Sequence, residues 1–225
     1  MAFTAGQIID FVSRKLHDTA HTRWPEVEKL SFLNLAQLQV VMVQPQANAK
    51  YKVVTLAAGA RQSLTAPDLK LLTITRNMGS NGQTPGRYVA VTDRATLDAS
   101  LSTWTASQAT TEIESYTVDS RVDGQFFVYP PPSVDGLRVE CVVAERPTDC
   151  ASRGSAIVLA DTYFSPLCHW MSYLCLAFQL DSPASAQQAL SHYQLFFNEL
   201  GADLKAGDLV SPNYREQYLI PQQAG

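Results

Sequence analysis

A chain of 225 residues, 46% of them hydrophobic and only 17% charged, is globular in composition and long enough for one large domain or two small ones. Its 17 Lys and Arg against 21 Asp and Glu give a formal net charge of -4 without any basic run, which disfavours a protein that holds nucleic acid by neutralising phosphates. No stretch approaches the roughly 20 apolar residues of a membrane span, and the amphipathic start MAFTAGQIIDFVSRKL lacks the charged stub and apolar run of a signal peptide.

From the N-terminus, Ile8, Ile9, Phe11, Val12 and Leu16 recur at helical spacing over residues 4–17, with Thr4 as N-cap. TRWPEVEKLSFLNLAQLQVVMVQP predicts a second helix. Pro25 stands in its first turn, Glu26 and Glu28 lie near the positive end of its dipole, and Pro45 closes it. At about 100° per residue its apolar side chains fall on two faces. Val27, Leu30, Leu38, Val41 and Met42 share one; Phe32, Leu33, Ala36, Val40 and Val43 share nearly the opposite one. Such a helix is either central to its own bundle or sandwiched between its core and a neighbouring subunit.

From about Tyr51 the period becomes strand-like. YKVVTL, RQSL, LKLLTITRNM, GRYVAVT, EIESYTV, GQFFVYP and GLRVECVVAERP are short β-branched or aromatic runs set apart by Gly, Pro, Asn and Asp, as in a small sandwich or barrel. DRATLDASL predicts a short helix within this block, capped by Asp93. In QFFVYPPPS, alternation puts Phe126 and Val128 on one side and Phe127 and Tyr129 on the other, so both sides need covering. Pro130, Pro131 and Pro132 lack N–H donors, so pairing must stop there and the chain must turn.

The helical pattern returns after GSAIVLADTYFSP. One helix starts at Ser165–Pro166, or earlier at Asp161, with Leu167, Trp170, Met171, Leu174 and Phe178 along one face. Another starts at Ser182–Pro183, carries the stripe Ala189, Tyr193, Phe196, Phe197 and Leu200, and stops at Gly201. The remaining segment contains Leu209, Val210, Tyr214, Tyr218, Leu219 and Ile220, which is too apolar for a disordered linker. It docks either on its own domain or on a partner, by strand addition or in a groove. The reading is therefore an α+β fold. Residues 1–48 and 156–203 form a discontinuous helical bundle, 49–155 an inserted small all-β domain, and 204–225 an extended C-terminal tail.

Catalytic and metal-binding motifs are weak. His17 and His21 stand four apart, but the segment leaves the helix before Trp24 and two ligands without a third do not make a site. NMGSNGQTPGR lacks the Gly-Lys-Ser/Thr ending of a P-loop and lies between strands, as a hairpin loop does. Cys141, Cys150, Cys168 and Cys175 show no CxxC pair and read as buried free thiols of a reducing compartment. Cys168 beside His169 is not a dyad, because neighbours on a helix point about 100° apart. Acids at Glu112, Glu114, Asp119 and Asp123 cluster in the β block, where a solvated face is the ordinary arrangement. No cofactor, metal or catalytic residue is expected.

Several segments taken as a set resemble the head-to-tail adaptor (neck or connector) proteins of tailed bacteriophages, podovirus-like ones especially. They are RWPEVEKLSFLNLAQLQVV with QPQAN, AAGARQSL leading to LLTITRNMG, GRYVAVTDRATLDAS with Trp104, FFVYPPP followed by VEC, and DTYFSPLCHWMSYLCLAFQLD with HYQLFFNELG. The resemblance spans about residues 5 to 201. It implies a virion structural protein of the neck, not an enzyme, made in the host cytoplasm and assembled as a homo-oligomeric, dodecameric ring. Its partners would be the portal protein above, tail or nozzle proteins below, and double-stranded DNA passing through the channel without sequence-specific binding. The lack of a basic patch suits such a channel. On this reading Phe32, Leu33, Ala36, Val40 and Val43 face the neighbouring subunit, and the tail residues Leu209, Val210, Tyr214, Tyr218, Leu219 and Ile220 reach the portal. Two other readings stand beside it: a virion-associated cell-wall hydrolase using Glu112 or Glu114, and a tail-tube or baseplate subunit.

Overall fold

A computed structural model describes residues 3–79, 81–106, 110–118, 122, 124–178 and 183–210, with 202–210 as helix backbone only. The chain divides into two compact units: Met1–Gln44 with Pro147–Gly225, and Pro45–Arg146. The first unit opens with α1 (Ala5–Lys15), entered at Thr4, whose N–H donates to the Gln7 side-chain oxygen at 2.8 Å. Ile8, Ile9 and Val12 are fully buried. A turn leads to α2 (Glu26–Val43), whose N-cap is Pro25 and whose first turn carries Glu26 and Glu28. The helix ends one residue before Gln44, since Pro45 cannot continue it.

The second unit is a sandwich of two four-stranded sheets sharing one core. In the first sheet β1 (Ala49–Leu56) and β3 (Asp68–Met78) flank β8 (Leu137–Glu145), and β4 (Pro85–Tyr88) lies beyond β3. The second runs in the order β2 (Arg61–Ser63), β7 (Gln125–Tyr129), β6 (Ser115–Val118), β5 (Ala90–Val91), with β5 parallel to β6. Leu71, Ile74, Val139, Cys141 and Val143 of the first sheet meet Tyr116, Phe126 and Val128 of the second. Alternation along β7 thus sends Phe126 and Val128 inward. Its other side is covered too, because Phe127 and Tyr129 pack against Ala60, Leu97 and Trp104. Leu97 belongs to α3 (Arg94–Ser100), whose N-cap Asp93 accepts from Ala95 N–H at 3.1 Å. The Trp104 and Phe127 rings meet edge to face at 5.9 Å.

The proline corner connects the two sheets. Pro130 to Pro132 cannot donate, but their carbonyls still accept: Pro131 from Thr110 N–H at 3.2 Å, and Pro132 from Gly59 N–H at 3.1 Å. The chain leaves β7 in one sheet, and after Gly136, whose N–H donates to the Leu56 carbonyl, enters β8 in the middle of the other.

From Pro147 the chain is again in the helical unit, ahead of the 156 expected, because this segment is laced to α1. Ala5 and Gly6 N–H, in the first turn of α1, donate to the carbonyls of Ser155 and Arg153, both at 2.9 Å. These bonds satisfy donors that a helix start leaves open. The approach is so close that a Cβ on Gly6 would lie 3.2 Å from the Arg153 carbonyl oxygen. A single 3-10 turn, Asp161–Tyr163, precedes α4 (Phe164–Ala177), and α5 (Pro183–Val210) packs along it. Leu167, Met171, Ala189, Phe196 and Leu200 are buried as their spacing predicts, whereas Phe178 is exposed. Gly201 does not stop α5. The sequence after it, ADLKAGDL, is rich in helix formers, and one interior Gly costs only about 1 kcal/mol relative to Ala. Of the tail expected to be extended, 204–210 are therefore helix, and 211–225 lie outside the described residues.

Candidate functional site

The two apolar faces of α2 are both present, but their roles are reversed from the expectation. Phe32, Leu33, Ala36 and Val40 are buried in the helical unit itself, with the Phe32 ring 5.2 Å from that of Phe178, and Val43 is half-buried. They belong to the core that α2 forms with α1 and α4, so they are not open to a neighbour. The exposed apolar side chains lie on or beside the other face, although Val41 of that face is buried and Leu30 half-buried. Val27 is 77% exposed, Leu35 50% and Met42 57%, with Leu38 half-buried among them. Their spacing of eight and seven residues places them along one side of the helix, about 20° to 80° from one another by periodicity. This is an apolar stripe without a partner among the described residues.

Polar anchors explain why the helix turns this way. Lys29 is fully buried and its ammonium donates to Ser13 Oγ at 2.8 Å and Asp18 Oδ2 at 2.9 Å. Asp18 also accepts the N–H groups of Thr22, Arg23 and Trp24 at 2.9, 3.0 and 3.1 Å, so its carboxylate organises the whole α1–α2 turn. Burial alone would raise its pKa; the Lys29 ammonium and these backbone donors outweigh burial and hold it well below the usual carboxylate range. Further along, Gln44 donates to the Leu200 carbonyl at 2.6 Å and accepts from the Tyr163 hydroxyl at 2.9 Å. Asn34 exchanges two bonds with the backbone of Cys150, at 2.8 and 3.2 Å. On the surface, Arg153 bonds both oxygens of Asp10 and one of Glu26, all at 2.8 Å.

Among the described residues, those considered for chemistry are not assembled into a centre; Asp119 and Asp123 lie outside the described residues. His17 and His21 both adopt positive φ, at 56° and 54°, so they do not share a helical face. His21 instead turns its Nδ1 to the Lys29 ammonium at 3.1 Å. Glu112 and Glu114 are exposed, and Glu114 faces Arg87 at 3.5 Å across open surface. The glycine-rich segment joins β3 to β4 as a hairpin, with Gly79 N–H donating to Thr84 at 2.7 Å. All four cysteines are free and buried, and burial pushes the Cys141, Cys168 and Cys175 thiols up to about 12. A cleft of about 510 Å3 opens beside the β3–β4 hairpin, lined by Asn77, Thr84, Thr110, Glu112, Asp135 and Arg138 among others. Asn77 in its wall is already satisfied by backbone groups of Arg87 and Ile113. Among the described residues no three His, Cys, Asp or Glu side chains could hold a metal ion, and no helix is long and apolar enough to cross a membrane.

Comparison with protein families decides the class. The SU10 adaptor protein family model matches residues 3–216, nearly the whole chain. The chain belongs to the SU10 adaptor protein family. No curated protein matches it significantly. Membership makes this a structural adaptor of a tailed phage and a component of the virion. The match covers both units described above, including the helices at each end of the chain and the sandwich between them. Of the tail residues expected to reach the portal, Leu209 and Val210 lie on the last turn of α5, while Tyr214, Tyr218, Leu219 and Ile220 lie outside the described residues.

Two features escaped sequence reasoning. One is the Asp18–Lys29 pair, because a lone lysine eleven positions after an aspartate gives no periodic signal. The other is the aromatic seam between α4 and α5, where the Trp170 ring lies 4.7 Å from Phe196 and 5.9 Å from Tyr193. Its members were legible as stripes on each helix, but not as one cluster.

Proposed function

We propose that this adaptor assembles as a dodecameric ring beneath the portal, extends the DNA channel without gripping DNA, and offers a platform for tail proteins. The observation that carries the reading is the family match over residues 3–216. The ring contact is assigned to the exposed stripe of α2, Val27, Leu35, Leu38 and Met42. Its support is that a heterologous contact needs an apolar patch that the subunit does not use for its own core. The C-terminal segment, including Tyr214, Tyr218, Leu219 and Ile220, fastens the ring to the portal, and the protein acts by assembly, not catalysis. The net charge of -4 is in keeping with a channel through which DNA slides.

The test is native mass spectrometry of the protein mixed with the portal ring of the same phage. Three chains are compared: full length, a chain ending at Val210, and V27S/M42S. The full-length chain is expected to load as a stoichiometric ring. The truncated chain is expected to bind poorly, and V27S/M42S to bind as scattered subunits without a closed ring. A portal ring that takes up none of the three overturns the reading.

A further inference from the structure

The strongest unassigned cluster lies between α4 and α5. His169 on α4 and His192 on α5 place their Nδ1 atoms 2.9 Å apart, a hydrogen bond between two imidazoles. His169 Nε2 lies 3.6 Å from Glu199 Oε1, and that oxygen accepts from the Ser165 hydroxyl at 2.8 Å. The second oxygen, Glu199 Oε2, is buried without a hydrogen-bond partner among the described residues. From α1 the ammonium of Lys15 acts on both rings, so the charged groups facing the pair are Lys15 and Glu199.

This geometry fixes the protons. An Nδ1···Nδ1 bond holds a single hydrogen, because one ring must donate and the other accept. With a carboxylate beside its Nε2, His169 carries its proton there, and its Nδ1 accepts. His192 is then the Nδ1–H donor. One added proton can be accommodated as an imidazolium bonded to an imidazole. A second puts N–H against N–H across 2.9 Å, with Lys15 on the same side of the balance.

We propose that the His169–His192 pair is a proton-operated latch between α4 and α5: neutral, it clamps the two helices, and doubly protonated it releases α5, the helix that leads to the C-terminal segment. The electrostatics agree. Burial holds His169 below its ordinary value against the pull of Glu199, with Lys15 acting in the same direction as burial. Burial, then Lys15 and His169, bring His192 down from 6.5 to about 4. Since the folded values lie below the unfolded one, the latch is whole above pH 6.5 and its stability is lost progressively as the pH falls from 6.5 toward 4.

The first measurement is the imidazole nitrogen spectrum of the full-length protein, titrated from pH 8 to 4, with exposed His17 in the same spectrum. His192 is expected as the Nδ1–H tautomer and His169 as the Nε2–H tautomer. Both are expected to protonate below the ordinary histidine value, His192 near pH 4. The second is amide exchange in α5 at pH 7 and pH 4.5, corrected for intrinsic rates, for wild type and H192N. The asparagine amide can donate from the δ position but does not titrate. Wild type is expected to lose protection on the order of tenfold or more between the two pH values, with H192N losing far less. Equal losses in wild type and H192N overturn the latch. So does a wild-type spectrum in which both rings titrate near 6.5, and this outcome can be read even if H192N does not fold.

Discussion

The β unit and the helical unit fill their interiors with different chemistry. In the sandwich, Phe126, Val128, Ile74 and Val143 meet across the sheets, and the buried polar side chains, Asn48, Gln62, Asn77, Ser115 and Thr117, are uncharged. Gln62 and Asn77 bond backbone groups of neighbouring turns and strands, as in the 2.8 Å bond from Gln62 to the Ala57 carbonyl. The helical unit buries Lys29 and Asp18 as an ion pair and His169 beside His192. Strands pair their backbone groups along whole edges, so side chains are left to pack. Helices joined by an irregular turn leave backbone donors open, and Asp18 is there to satisfy them. The β unit keeps its close ion pairs, Lys52 with Asp68 and Glu145, at the end of its sheet, so its interior should respond less to mild acid than that of the helical unit.

The largest effects break the two interiors separately. Phe126→Ala is expected to cost about 3–5 kcal/mol by cavity formation, with the same cost at pH 7 and pH 4. Lys29→Ala is expected to cost a similar amount, about 3–5 kcal/mol, because it strands a buried carboxylate. Its cost is expected to shrink in acid. Asp18 binds protons less readily in the fold than in the unfolded chain, so the pair's contribution is whole above about pH 4 and is lost as the pH falls below it. Urea denaturation of both variants across pH, with amide exchange in β7 and α2 as local probes, reads the contrast. Equal pH dependence in the two variants removes it.

A smaller change sharpens the comparison inside the β unit. Asp93→Ala deletes the cap of α3 and should cost about 1 kcal/mol, followed by weaker protection around Leu97 and Trp104 but not in β8. The smallest effect is expected at Arg153. Its bonds to Asp10 and Glu26 are short, but the side chains are about 40–47% exposed. Arg153→Ala is expected to change stability by about 1 kcal/mol or less, and less still in high salt.

The same contrast explains what could be read from the residues in order. The change of period after Pro45, the alternation of QFFVY, the cap at Asp93 and the breaks at Pro45 and Pro130 all act within a few residues, and the strands and helices lie where these local signals put them. The set of motifs from RWPEVEKLSF to HYQLFFNELG was enough for the family, because the match extends over residues 3–216 and so includes all of them. Gly201 misled, since a glycine ends a helix only where the following residues also favour leaving it.

What the sequence by itself determined is therefore the class of each segment and the kinship of the whole. Only the tertiary structure decided which way α2 faces. With apolar side chains nearly all round, its own pattern sets no direction; Lys29, Gln37 and Gln44 set it by reaching partners as distant in the chain as Cys150 and Leu200. Burying a polar group costs free energy unless its partner is in place, and that partner is supplied by contacts between segments, not by spacing. The exposed stripe of Val27, Leu35 and Met42 is what that choice left on the surface.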